Sequence, residues 1–247
     1  MTLPVHLVPE GSLAGTRPGA LVRLDGAEGR HAVAVRRTRV GERLVLADGL
    51  GRSVEGEVVE VGRDVLDLRV DTVRDEPEPS PRFVLVQALA KGDRDDQAVE
   101  AATECGVDEV VPWQAARSIV QWRGERGEKA RGKWDAVLVA ATKQSRRTRR
   151  PVLAPTATTP DLVARARGGA LVLVLHEDAD APLAAVRLPE SGDVLLVVGP
   201  EGGIAPEEVA ALEAAGARSV RLGPTVLRAS SAGPAALAVL SAASRWR

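Results

Sequence analysis

Residues 195–209 read "LLVVGPEGGIAPEEV": an apolar run ends in three glycines, a proline and a carboxylate, then restarts with Pro206, Glu207 and Glu208. Glycine exposes main-chain amides and carbonyls to a ligand with no Cβ in the way. Two other apolar runs end similarly. "LVLVLHED" ends in His176 and Glu177, and "SVRLGPTVLRASSAGPAA" carries Leu222, Gly223, Leu227 and Arg228. In an open parallel sheet, ligands bind beyond the carboxyl ends of the strands, so three such ends on consecutive strands mark a site. Pro206 suits the first turn of a helix, and Glu207 and Glu208 beside it favour a neutral or cationic ligand over a phosphate. The segment has neither the Gly-Lys-Ser/Thr of a phosphate-binding loop nor the G-x-G-x-x-G of a dinucleotide fingerprint.

Those ends converge only if a parallel sheet holds them. After residue 82 the pattern supplies one. "RFVLVQALA", "VDEVVPW", "ALVLVLHE", "DVLLVVGPE" and "SVRLGP" are short apolar runs separated by helical stretches, the signature of a sheet covered on both faces. "DRDDQAVEAATECG" opens with acids and stops at Gly106, while "EKARGKWDAVLVAATKQ" sets Trp134, Val137, Leu138 and Ala141 on one helix face. Thr159-Pro160-Asp161 reads as the cap, first-turn proline and acid of another helix. Before residue 74 the chain alternates apolar and polar residues around turn signals at Asp48-Gly49 and Gly62-Arg63-Asp64, which predicts a small antiparallel barrel with one helix at Ala27–Thr38. "RDEPEPSPR" reads as an extended linker between the two. The expected division is residues 1–73, a linker at 74–81, and an α/β domain at 82–247.

Composition narrows the setting. The 247 residues include 45% hydrophobic residues, a formal net charge of −1 and one cysteine, Cys105. An intrachain disulfide is excluded, no apolar run reaches the length of a membrane span, and the start of the chain lacks a signal-peptide layout. These features predict a cytoplasmic protein with no membrane partner. Four Trp, one Phe and no Tyr argue against an aromatic base-stacking surface and predict that any RNA is held through phosphates and shape.

"GPEGGIAPEEV…AGARSVRLGPTVLRASSA" resembles the C-terminal signature of the bacterial ribosomal RNA uracil-N3 methyltransferases, the RsmE family of the SPOUT class. "LAKGDRDDQAVEAATECGVDEVVPWQAARSIV", "ATKQSRRTRRPVL" and "HAVAVRRTRVGERLVLADGLG" resemble other family segments in the same order, so the likeness spans nearly the whole chain. The resemblance implies a PUA-like barrel that binds RNA, then a homodimerising α/β domain with a deep trefoil knot. It implies S-adenosyl-L-methionine as cofactor and methylation of N3 of a uridine in 16S ribosomal RNA of the 30S subunit, near the decoding centre. Carried over residue by residue, the cofactor pocket comprises Leu175, His176, Gly199, Glu201, Gly203, Leu222, Gly223, Leu227 and Arg228. No metal is implied.

Roles stay open at several of these positions. Glu201 either favours the cationic sulfonium or binds the amides of its own loop. Arg228 is the catalytic candidate, stabilising negative charge on a uracil oxygen; a phosphate clamp or a carboxylate partner is the other reading. RNA contacts are expected from Arg30, Arg36 and Arg37, and from Arg146, Arg147 and Arg149 in "RRTRRP", unless the latter is a solvated helix end. Arg117 extends that surface or makes a structural salt bridge, and His31 sits near RNA or, as a lone histidine in a small domain more often does, plays a structural part. The chain departs from the family pattern at Thr225, Ser230-Ser231, Glu100 and Ala205, with Ser231 expected to cap the last helix. A non-catalytic RNA-binding assembly factor, or a SPOUT enzyme for a different nucleotide, are the alternative functions.

Overall fold

The computed structural model describes residues 3–246. The N-terminal strands are β1 (Val5–Leu7), β2 (Leu21–Leu24), β3 (Arg43–Ala47), β4 (Arg52–Gly62) and β5 (Val65–Asp75), in the sheet order β1-β3-β4-β5-β2. Their alternation buries one face, where Leu44, Leu46, Val54, Val58, Leu66 and Leu68 form a core with Leu13 and Leu24. Two details differ from the expected antiparallel barrel. β1 runs parallel to β3, and no ladder joins β1 to β2 among the described residues, so hydrogen bonds do not close the sheet.

The helix expected at Ala27–Thr38 is shorter and changes type. α1 (Gly26–Arg30) runs directly into a single wide π turn, His31–Val35. It stops there because Arg37 enters the left-handed region (φ 58°) and the Thr38 amide reaches back to the Ala32 carbonyl.

The chain divides into two compact units, and the division is not linear. Residues up to Glu78 pack with Thr142–Arg150, while Pro79–Ala141 and Pro151 onward form the second unit. This corrects the expected boundaries in two respects. Arg74 and Asp75 belong to β5, opposite Ser53 and Arg52 of β4, instead of a linker. The segment 142–150 adds to the first unit through main-chain bonds: the Gly51 amide donates to Thr148 at 3.2 Å, and the Arg150 amide to Gly49 at 2.9 Å. Main-chain pairing of this kind uses groups that every residue carries, so it leaves no side-chain pattern to read.

In the second unit, β6 (Arg82–Ala88), β7 (Glu109–Trp113), β8 (Val152–Leu153), β9 (Leu171–Leu175), β10 (Asp193–Val198) and β11 (Arg218–Val220) make one parallel sheet, ordered β11-β9-β10-β6-β7-β8. The apolar runs are continuous because both faces are covered. On one face Phe83, Leu85, Leu196 and Val198 meet Val99 of α2 (Arg94–Glu104), Trp134 and Leu138 of α3 (Gly124–Gln144), and Leu237 and Leu240 of α6 (Ala229–Ser244). On the other, Val84, Val86, Leu195 and Val197 meet Leu162 of α4 (Thr159–Arg167) and Leu212 of α5 (Pro206–Ala214).

α4 is capped one residue earlier than expected. Thr158 is the cap, Asp161 Oδ2 accepts its amide at 2.7 Å, and Pro160 occupies the first turn. Nor does Ser231 cap α6. Arg228 is the N-cap residue, and the Ser231 amide donates to its carbonyl at 2.8 Å.

Candidate active site

β11, β9, β10 and β6 are neighbours, so their carboxyl ends share one edge of the sheet. A cavity of about 350 Å³ opens there, within the range of pockets that hold drug-sized ligands. Leu175, His176 and Glu177 line it from the end of β9, and Gly199, Pro200, Glu201, Gly203 and Ile204 from the end of β10. Val226, Leu227 and Arg228 come from the loop before α6, and Arg94 from the start of α2. A smaller space of about 70 Å³ adjoins it, sharing Leu175, His176, Val226 and Leu227 and adding Leu222, Gly223 and Thr225. All nine residues expected around a cofactor therefore line these two joined spaces.

The glycine loop takes its shape from its own tight turn. A Cβ on Gly199 would stand 2.6 Å from Ile204 Cγ1, and Gly203 sits at φ 72°, a conformation that side chains disfavour. Gly223 differs from both. Nothing lies within 4 Å of where its Cβ would be, so bare main chain faces open space. Arg117 Nη1 donates to the Gly202 carbonyl at 3.0 Å, bracing the loop from the segment after β7. Glu208 holds it from the other side. Its Oε1 accepts the Ala116 amide at 3.0 Å and the Thr159 hydroxyl at 2.5 Å, and its Oε2 accepts the Ala205 amide at 3.3 Å. Ala205 lacks a capping oxygen, so Glu208 supplies only the reciprocal half of a capping box.

Glu201 binds across the edge. Its Oε1 accepts Arg94 Nη1 at 3.1 Å and the Lys91 amide at 3.3 Å, joining the β6–α2 loop to the glycine loop. That leaves Glu177 as the exposed carboxylate of the lining with no ion pair among the described residues. Arg228 is exposed and likewise unpaired among them. His176 Nδ1 accepts the Asp178 amide at 3.3 Å, which turns that nitrogen into its own turn. The lining thus combines apolar walls, bare main chain, one tethered and one free carboxylate, and one free guanidinium. Such a set fits S-adenosyl-L-methionine, whose adenine presents apolar faces and whose sulfonium is cationic.

A profile of an RNA methyltransferase domain matches residues 76–241, and one of an RNA methyltransferase PUA domain matches residues 24–71. A relative from Mycobacterium bovis named ribosomal RNA small subunit methyltransferase E is 48% identical over 233 residues, 92% of this chain and 89% of its own. The chain belongs to the ribosomal RNA small subunit methyltransferase E family. Among solved structures, the family's enzyme from Neisseria gonorrhoeae, bound to S-adenosyl methionine, superposes with a TM-score of 0.86 at 26% identity, covering 98% of both chains. A methyltransferase from Legionella pneumophila in complex with the same cofactor gives 0.83 at 29% identity, again over 98% of both chains. The fold is thus the α/β methyltransferase fold of the SPOUT class behind a PUA-like N-terminal domain.

Within this family frame, the arginines expected at RNA separate into groups. Arg36 and Arg37 are exposed without an ion pair among the described residues, Arg146 is exposed beside a groove of the N-terminal unit, and Arg30 stands 3.7 Å from Asp64. Arg149 is engaged with main chain, donating to the carbonyls of Glu76 at 2.6 Å and Pro77 at 3.1 Å. Arg147 is half-buried. Reading the sequence missed Arg94 as a lining residue and left Glu177 without a role. The signal for Arg94 was available, because "KGDRDDQ" directly follows a strand at the same edge.

Proposed function

We propose that this chain methylates N3 of a uridine in small-subunit ribosomal RNA, near the decoding centre, with S-adenosyl-L-methionine as donor. The observation that carries this reading is the shared cavity. Residues from three separate strand ends, chosen by sequence, line one space of cofactor size at the carboxyl edge of the sheet.

In this reading Leu175, Leu222 and Leu227 wall the adenosine, and the main chain at Gly199, Gly203 and Gly223 supplies its hydrogen bonds. The bound donor offers an electrophilic methyl on a cationic sulfur. The protein's part is alignment and charge: holding the base so that N3 faces that methyl removes most of the entropic barrier. N3 must lose its proton as the new bond forms. Glu177, the free carboxylate of the lining, takes that proton, and the Arg228 guanidinium stabilises the charge developing on the uracil oxygens. Glu201, held by Arg94 and the Lys91 amide, keeps the two loops together and adds negative potential for the sulfonium.

Of the arginines expected at RNA, Arg36, Arg37 and Arg146 are free to meet phosphates, giving affinity and orientation without reading bases. The reading includes the homodimer and trefoil knot that the resemblance implies, and a cytoplasmic setting where 30S subunits are assembled. It is tested by incubating unmodified 30S particles or naked ribosomal RNA with the protein and cofactor, then analysing nucleosides by mass spectrometry. N3-methyluridine is the expected product. Methyl on another base refutes the target, and no transfer to either substrate refutes the activity.

A further inference from the structure

Three side chains of the N-terminal unit meet away from the cavities described above: His6 on β1, Glu28 in α1 and His31 in the π turn. One ring nitrogen of each histidine and a carboxylate oxygen of Glu28 all lie within 4.8 Å of one another. Glu28 and His31 are three residues apart on a continuous helical stretch, which puts them on one face, while His6 comes to them from the strand. His6 Nδ1 stands 3.3 Å from Glu28 Oε2, and the two imidazoles meet edge to face with centroids 5.9 Å apart.

One of these distances matches an edge of a coordination shell. Ligand atoms ~2.0–2.1 Å from a tetrahedral zinc ion lie ~3.3 Å from each other, so the His6–Glu28 edge already has its final length. His31 is exposed, and the two edges that include it, already within 4.8 Å, close as its ring moves toward the ion.

His6 is 1% exposed and turns its Nδ1 toward Glu28, while its Nε2 has no hydrogen-bond partner, so Glu28 is the one side-chain hydrogen-bond partner of this ring among the described residues. Histidine is also the residue type that most often binds borderline metals. Lys143 Nζ donates to Glu28 Oε1 at 2.6 Å, which leaves Oε2 for a monodentate bond.

We propose that His6, Glu28 and His31 bind one zinc ion, with water at the fourth position on the exposed His31 side. Two imidazoles and a carboxylate are the nitrogen and oxygen donors such an ion prefers. The ion ties β1 to α1 and takes no part in methyl transfer, which belongs to the other unit.

The test uses full-length, tag-free protein stripped with a chelator, titrated with zinc chloride by calorimetry and melted with and without zinc. One zinc per chain at micromolar or tighter affinity, with a rise in melting temperature, is expected. His31→Ala removes an exposed side chain, so the zinc-free variant melts like the zinc-free wild type but loses both the stoichiometric binding and the zinc-dependent rise. Cobalt in place of zinc gives the visible bands of a tetrahedral site in the wild type and not in the variant. The proposal is overturned by wild-type protein that takes up no zinc, or by a His31→Ala variant that binds it as the wild type does.

Discussion

The two sheets place their charges in opposite ways. In the N-terminal sheet, charged residues pair along the exposed face: Arg23 faces Asp67 directly across β2 and β5, Glu57 faces Arg69 directly across β4 and β5, and Arg43 reaches diagonally to Glu55 and over β4 to Asp71. In the C-terminal sheet, charge sits in a few buried networks. Glu109 is 5% exposed and takes Arg82 at 2.8 Å and Arg165 at 2.5 Å, while Arg245 spans Asp108, the Gly106 carbonyl and the Phe83 ring. The difference teaches where each unit keeps its stability. A sheet with one wet face uses charge to set register, and exposed pairs contribute little. A sheet covered on both faces derives stability from apolar packing, and its charges are expensive unless fully matched.

The sharpest way to break this comparison is a cavity in the covered sheet. Leu196→Ala is expected to destabilise the protein by about 3–4 kcal/mol in chemical denaturation. A loss no larger than that of a surface pair would remove the distinction.

Next comes a substitution at the sheet's edge. Gly223 has no positive φ and no neighbour for a Cβ, so Gly223→Leu is expected to leave the melting temperature unchanged. The new side chain fills the cofactor space, and S-adenosylmethionine affinity should fall about 100-fold, or about 2.7 kcal/mol, by calorimetry. Unchanged affinity would place the cofactor elsewhere.

Asp95 sharpens the comparison on the charge side. Burial pushes its carboxyl up to about 6, with Asp96 adding to the effect. Below the ordinary value of 3.8 the group is protonated whether the chain is folded or not, and its burial costs no charge. As pH rises through about 6, the folded state must bury a carboxylate, and stability falls. Asp95→Asn should therefore be stabilising by about 1–2 kcal/mol at pH 8, after allowance for screening, and near neutral at pH 4. Denaturation midpoints at the two pH values measure it, and equal effects at both would show that the carboxylate is not desolvated.

The smallest effect belongs to the wet face. Arg69→Ala should cost about 0.5 kcal/mol, and less in high salt.

Much of this was legible residue by residue. The uninterrupted apolar runs Phe83–Val86 and Val194–Val198 announced strands buried on both sides, and the glycines that follow Val198 announced a tight loop at the strand end. All nine cofactor candidates come together at one edge. What the reading missed shares a cause. Arg94 and Arg117 reach the glycine loop from α2 and from the segment after β7, and those approaches depend on strand order, which no local pattern encodes. Arg149 looked like a phosphate ligand because its neighbours are arginines, yet it is engaged with main-chain carbonyls at Glu76 and Pro77. His6 and His31, 25 positions apart, likewise become partners only through folding.

By itself the sequence determined the sheet types, the helix faces, the glycine loop and, through its resemblance, the family. Periodicity and turn chemistry are local, and each is written within a dozen residues. Only the tertiary structure decided that residues 142–150 fold with the N-terminal unit, that Glu201 is tethered while Glu177 is free, and that two distant histidines meet beside one carboxylate. Those outcomes rest on which main-chain and side-chain groups come within about 3 Å after distant segments pack, a distance that spacing along the chain does not specify.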